Sequence, residues 1–172
     1  MNRFSFKNKI VKKGMFLSLV PFLLLGCSKN YDMNEKTFFL VMTNIQYYPE
    51  EYIGKDISFD SFTYELTSVQ GDSYLCVVRK CSSGFGCKCG KDTIIGFVVD
   101  NNLDLPEPKN QYDDTNDKAW IHIVGQIKST DKKVFEIYNA DNVPEEVSFL
   151  SLEIKDFSVI EDYSNLHYYV DK

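Results

Sequence analysis

Short runs of apolar residues, often alternating with polar ones, dominate the chain from residue 37 onward. The clearest is Ala119–Ile127 (AWIHIVGQI), in which every second residue lies on one face of an extended strand. Thr37–Ile45 (TFFLVMTNI) is apolar and also predicts a strand. Further strands are predicted at Tyr74–Lys80, Thr93–Val99, Val134–Tyr138 and Val147–Ile160. Many strands separated by turn signals are typical of an all-β barrel or sandwich.

In one predicted strand, the apolar residues shift from one face of the strand to the other. The apolar residues of Lys55–Leu66 (KDISFDSFTYEL) occupy odd positions at first and even positions afterwards. One extra residue near Asp60 would return them to the same face, as a β-bulge does. Gly96 and Gly125 lie inside predicted strands, where they suit the tight bends of a small barrel. We therefore predict an all-β fold with one small β-barrel.

The predicted connection at residues 100–118 is long and rich in Asp and Asn. Loops of this length are usually functional or disordered. Its carboxylates resemble calcium ligands, but their spacing fits no EF-hand. We predict a long, solvated acidic loop.

The N-terminus has the pattern of an export signal. Five basic residues and no acidic ones precede Met15–Leu25, an apolar run too short to cross a bilayer. The run ends in Leu24-Leu25-Gly26-Cys27, which resembles the lipobox of bacterial lipoproteins. The resemblance implies cleavage before Cys27 and lipid attachment to its sulfur. The alternatives are a plain secreted protein or an uncleaved membrane anchor, each with an unmodified Cys27.

These features predict the domain organisation and the location. Residues 1–26 form the signal peptide, 27–36 a lipidated tether and 37–172 the barrel domain. Cleavage would remove five of 19 basic residues and none of 25 acidic ones, leaving a formal charge of −11. Such a surface repels nucleic acid. We expect a protein that is lipid-anchored to a membrane in the bacterial cell envelope, outside the cytoplasm, and that binds no nucleic acid.

Four of the five cysteines lie between residues 76 and 89, in CVVRKCSSGFGCKC. Cys81, Cys87 and Cys89 flank a short loop of small residues that would let thiolates converge on a metal ion. Cys76 lies in mid-strand and is a weaker candidate, because buried cysteines are common there. Asp92 is a weaker candidate for the fourth position. Zinc is the expected ion, because thiolates suit it.

Disulfides are one alternative use of these cysteines, because an exported protein meets an oxidising environment, and inert or redox-active thiols are the other. Four thiols allow three pairings, which the sequence does not distinguish. His122 and His167 are the two histidines. A lone histidine on a strand is more often a surface residue than a ligand.

Several short motifs, in order, resemble the uncharacterised bacterial YcgQ-like family, whose members are found beside a predicted permease. They are PEEYIGK at residues 49–55, the arginine before the cysteines, the following aspartate, and AWIHIVG at residues 119–125. The resemblance implies a barrel similar to the oligonucleotide/oligosaccharide-binding (OB) fold, and a role with a permease, moving or buffering a metal ion. Arg79, Cys87, Cys89 and Asp92 fall where the residues of the family's motif would. The adjacent cysteines of the family are separated here by Lys88.

The sequence thus predicts a membrane-anchored binding module that holds a soft metal ion. The alternative is a disulfide-stapled module that binds a peptide, a glycan or another protein. Arg79 is expected to pair with a charge. No nucleotide-binding or hydrolase motif is present, so we do not predict an enzyme.

Overall fold

We describe residues 30–81, 93–101, 103–138 and 143–170 of a computed structural model. Of the residues that the structure describes, 56% lie in strands or β-bridges, so this part of the protein is mostly β. The strands are β1 (Tyr31–Met33), β2 (Asp56–Thr67), β3 (Ser73–Cys81), β4 (Thr93–Val99), β5 (Trp120–Tyr138), β6 (Pro144–Val159) and β7 (Tyr169–Val170). An α-helix, α1, spans Phe38–Tyr47, and a 3-10 helix spans Pro49–Glu51.

Five strands close into a barrel in the order β2-β3-β4-β6-β5 and back to β2. All neighbours are antiparallel except β4 and β6, which run parallel from Phe97↔Leu150 to Val99↔Leu152. This order, with its third and fifth strands parallel, is that of an OB-fold barrel. The predicted all-β barrel is therefore confirmed.

The N-terminal part of the domain differs from the sequence prediction. Thr37–Ile45 was predicted as a strand, which is wrong, because Phe38–Tyr47 forms α1. Phe38, Met42 and Ile45 are buried, and their spacing of four and three residues is helical. A short apolar run does not distinguish a strand from a buried helix.

Strand β1 also lies within the segment predicted to be a tether. Tyr31–Met33 pairs in parallel with β2, opposite Ile57–Phe59. The folded domain therefore begins several residues closer to Cys27 than the sequence indicated. Cys27 itself lies outside the described residues.

Two hydrophobic cores use opposite faces of the barrel strands. The first core joins α1 to the strands, and it includes Phe38, Met42, Ile45, Ile57, Phe59, Val77, Cys81, Phe97, Ile121 and Ile123. The second core contains Phe62, Leu66, Cys76, Val78, Ile94, Val98, Trp120, Phe135, Phe149 and Tyr168. Most of β3 and β4 is therefore buried on both sides.

The two cores explain the change of phase in β2. Ile57 and Phe59 point into the first core, whereas Phe62 and Leu66 point into the second. The pairing of β2 with β3 and β5 is regular through Phe62, so the predicted bulge near Asp60 is wrong. The apolar residues change parity because the strand passes from one core to the other.

The segment between β4 and β5 is attached to the second core through a buried lysine. Lys118 is 3% exposed, and its Nζ donates hydrogen bonds to the carbonyl oxygens of Asn110 and Asp113. Burial lowers the pKa of Lys118. Trp120 Nε1 donates to the Asn116 carbonyl at 2.9 Å. The two lysine bonds fold the segment upon itself, whereas the Trp120 bond and the packing of Lys118 against the rings of Phe62 and Tyr168 join it to the second core.

Gly96 is required because two strands approach closely. A Cβ atom at Gly96 would lie 2.0 Å from the carbonyl oxygen of Val77 on β3. Backbone cannot move away as a flexible side chain can. Gly125 is similar but less extreme, since its Cβ would lie 2.9 Å from the Glu153 carbonyl, beside a register shift in β5.

We predict that Gly96→Ala destabilises the barrel by about 3 kcal/mol, because the methyl group must separate β3 from β4. The change is measured by urea unfolding followed by circular dichroism. Thr130→Ala, at an exposed position of β5, is the control and should change stability by less than about 0.5 kcal/mol. Equal stability of the two variants would contradict the close approach.

Candidate functional site

Cys76 lies in the second core, away from the other described cysteine. Its side chain is fully buried, and burial raises the pKa of its thiol to about 12. The sulfur lies 3.7 Å from the Tyr74 carbonyl oxygen. A thiol that stays protonated at neutral pH is a poor metal ligand. The structure therefore does not support Cys76 as part of a metal site.

Cys81 lies at the end of β3, in the first core, and is also fully buried. Cys81 is five positions after Cys76, and an odd offset along a strand puts the two side chains on opposite faces of β3. They are not joined by a disulfide. Cys81 pairs with Thr93, the first residue of β4.

This pairing fixes the two ends of the segment that carries the other predicted ligands. Cys87, Cys89 and Asp92 lie outside the described residues, in the segment 82–92 that joins Cys81 to Thr93. Both ends of the cysteine segment are therefore attached at one position on the barrel edge.

Arg79 lies two residues before Cys81 and points to the same face of β3. Its side chain is 1% exposed and forms an ion pair with Glu35, with Nη2 and Oε1 2.7 Å apart. It also donates hydrogen bonds to the carbonyl oxygens of Asp60 and His167. One arginine thus joins the segment before α1, the barrel strand β2 and the C-terminal segment.

The guanidinium group of Arg79 lies between aromatic rings. Its central carbon is 4.9 Å from the ring centre of Trp120 and 5.5 Å from that of Phe38. Burial lowers the pKa of Arg79, while the negative charges of Glu35, Asp60 and Cys81 act in the opposite direction.

A polar trio on the outer face of β2 and β5 was not anticipated from the sequence. His122 Nδ1 lies 2.7 Å from Asp60 Oδ1, and its Nε2 lies 3.3 Å from Ser58 Oγ. Serine, histidine and aspartate are linked here by the same chain of hydrogen bonds as in the catalytic triad of a serine hydrolase. However, the backbone around Ser58 pairs with β1 on one side and β5 on the other, so its N–H groups do not form an oxyanion hole. We therefore interpret the trio as a surface hydrogen-bond network.

A groove of about 380 Å³ lies beside the start of β4. Its lining includes Lys80, Thr93 and four tyrosines, Tyr64, Tyr112, Tyr138 and Tyr168. Lys80 pairs with Asp114, with Nζ and Oδ1 2.6 Å apart. Burial raises the pKa of Tyr64 to about 12, so this hydroxyl stays protonated at neutral pH. The groove offers apolar ring faces next to polar groups.

Within the described part of the chain, no group of three His, Cys, Asp or Glu side chains is arranged to hold a metal ion. Three of the five predicted ligands lie outside that part. The described residues also contain no helix that is long and apolar enough to span a bilayer.

A family model, the DUF1980 C-terminal domain, matches residues 25–145 of the chain. The match covers more than half of the chain. The protein belongs to this family. The family is uncharacterised, so membership supports the domain and not an activity. No curated protein and no solved structure matches this chain.

We predict that Arg79→Met lowers stability by about 2–4 kcal/mol, because Glu35 loses its cation and the carbonyl oxygens of Asp60 and His167 lose a donor. Arg79→Lys should restore only part of the loss, since lysine lacks the planar fork. Both are measured by urea unfolding. The control Lys109→Met removes an exposed ion pair with Asp117 and should change little. An Arg79→Met variant as stable as this control would show that the buried pair contributes nothing.

Proposed function

We propose that this family member is a lipid-anchored binding module of the cell envelope that holds a thiophilic metal ion, zinc first, at one end of its barrel. The ligands are Cys81, Cys87 and Cys89, with Asp92 as the fourth. The observation that carries the proposal is the pairing of Cys81 with Thr93. It attaches both ends of the cysteine segment to the barrel at one position.

The charges around Cys81 also support a thiolate site. Arg79 adds a positive charge on the same face, and Lys88 and Lys91 lie among the predicted ligands in the sequence. Positive charges lower the cost of forming thiolates and offset the charge of several bound to one ion. Cys76 is excluded from the proposed site, because its thiol lies in the other core.

A site with a weak or exchangeable fourth ligand suits transfer better than permanent structure, which closes all four positions with strong ligands. Asp92 would be such a ligand. The resemblance to the YcgQ-like family suggests a permease as the partner that gives or takes the ion. We propose this partner on the resemblance alone.

A disulfide-stapled interaction module is the second candidate function. The tyrosine-lined groove favours it, because aromatic faces next to polar side chains suit a peptide or a glycan. In this case Cys81 would pair with Cys87 or Cys89. The two candidates differ in the oxidation state of the same thiols.

We expect the purified protein to bind one zinc ion, measured by elemental analysis together with thiol titration. Chelation should expose thiols that the metal protected. Cys87→Ser and Cys89→Ser should lose the ion, whereas Cys76→Ser should keep it, since only the former remove a proposed ligand. Cys81→Ser is judged only if circular dichroism shows a folded barrel, because Cys81 is buried.

Two results would contradict the metal site. A protein that contains no zinc and only two titratable cysteine thiols after denaturation, Cys76 and one of the other three, would have a disulfide instead. Loss of zinc from Cys76→Ser, together with retention of zinc in Cys89→Ser, would assign the metal to the second core and not to the proposed ligands.

We expect the mature N-terminus to be Cys27 carrying a diacylglyceryl group, detected by mass spectrometry of the protein from the membrane fraction. Cys27→Ser should remove this modification and release the processed protein, or leave the uncleaved precursor. An unmodified Cys27 in a soluble wild-type protein would refute the anchor.

A further inference from the structure

Exposed apolar side chains are concentrated near the N-terminal end of the domain. Among the described residues, eleven large hydrophobic side chains are exposed, and four of them fall within residues 40–53. These four, which we call the N-terminal patch, are Leu40, Tyr47, Tyr48 and Ile53. Two of these residues lie on the outer side of α1, and the other two lie on either side of the 3-10 helix that follows it.

Helix α1 has no charged residue on any side. Its sequence, FFLVMTNIQY, buries one face in the first core and exposes Leu40 and Tyr47, which are 64% and 63% accessible. A helix on a water-exposed surface normally carries charges on its outer face. Their absence is notable in a chain with 26% charged residues. The outer face of α1 thus suits an environment less polar than water.

The chain enters the fold next to this patch. The Tyr31 ring centre lies 4.9 Å from that of Tyr52, which directly precedes Ile53. Lys55 Nζ lies 3.4 Å from the Tyr31 hydroxyl. Cys27 is four residues before Tyr31, so an extended chain separates them by at most about 14 Å.

We propose that the N-terminal patch lies on the bilayer surface, at the level of the lipid headgroups. The inference rests on the proposed lipid at Cys27, whose acyl chains would hold Tyr31 within that short distance of the bilayer. Tyrosine is enriched at membrane interfaces, because its ring is apolar and its hydroxyl is polar. The barrel is then held against the membrane in one orientation.

The charges near the patch indicate which lipid headgroups it would contact. Glu50 and Glu51 are exposed in the 3-10 helix. Carboxylates are repelled by anionic headgroups, and the whole domain is acidic. The patch therefore fits zwitterionic headgroups, such as phosphatidylethanolamine or phosphatidylcholine, with Lys55 close to the phosphate groups.

The test uses tryptophan as a depth probe in the full-length, lipid-modified protein. Tyr47→Trp places the probe in the patch, and Tyr138→Trp places it at an equally exposed position, 63% accessible, on β5. Each variant is reconstituted in phosphatidylcholine vesicles with or without bromine on the upper acyl chain. The native Trp120 is buried in every variant, and its signal is subtracted using the parent protein.

We expect brominated lipid to quench roughly half of the Tyr47→Trp emission and to leave Tyr138→Trp nearly unchanged. Vesicle flotation is measured in parallel. If the protein floats but Tyr47→Trp is not quenched, or if Tyr138→Trp is quenched more, the orientation is wrong although the anchor stands. A blue-shifted but unquenched Tyr47→Trp would mean that a second copy covers the patch. A protein that does not float refutes the anchor, and the inference with it.

Discussion

The fold depends on one buried cation. Arg79 pairs with Glu35, donates to the backbone of β2 and of the C-terminal segment, and lies between the rings of Trp120 and Phe38. A charge this deeply buried is costly, and its two terminal nitrogens donate to Glu35 and to two carbonyl oxygens, although Nε has no hydrogen-bond partner among the described residues. Because its partners come from separate parts of the chain, those parts must fold together. Arg79 thus connects both ends of the described domain to the barrel.

The strands could be predicted from the sequence because each carries a local signal. Thr93–Val99 was predicted with the bounds that the structure shows, and the clean alternation of Ala119–Ile127 marked the first half of β5. Their order around the barrel is a matter of contacts between distant segments. The resemblance supplied that order as an expectation, and the parallel pairing of β4 with β6 bears it out.

The two errors have different physical causes. Residues 37–45 read as a strand because their apolar residues show no single face, yet they form a helix that buries one face in the first core and leaves Leu40 exposed on the other. The apolar residues of β2 shift from odd to even positions. If the strand had only one buried face, this shift would require a bulge near Asp60. With two cores, a regular strand satisfies both halves of the pattern. A pattern of apolar residues indicates which residues are buried, but it does not show how many separate cores they enter.

The candidate site could be predicted only in part. The spacing of the cysteines marked the segment, but it could not separate Cys76 from Cys81, which enter different cores. The partner of Arg79 was equally hidden, since Glu35 lies 44 residues away in a segment read as a tether. Likewise, Ser58, Asp60 and His122 meet only because of the register between β2 and β5. Such contacts depend on strand pairing, for which single residues carry no signal.

The direction of β3 connects the proposed metal site with the proposed membrane surface. β3 runs antiparallel to β2, so it ends at Cys81 toward the end of the barrel where β2 begins. Strand β1 and Tyr31 lie at the beginning of β2. The cysteine segment therefore leaves the barrel at the end where the chain arrives from Cys27. A metal held there would lie close to the bilayer, where a permease could reach it, and a long flexible tether would be unnecessary.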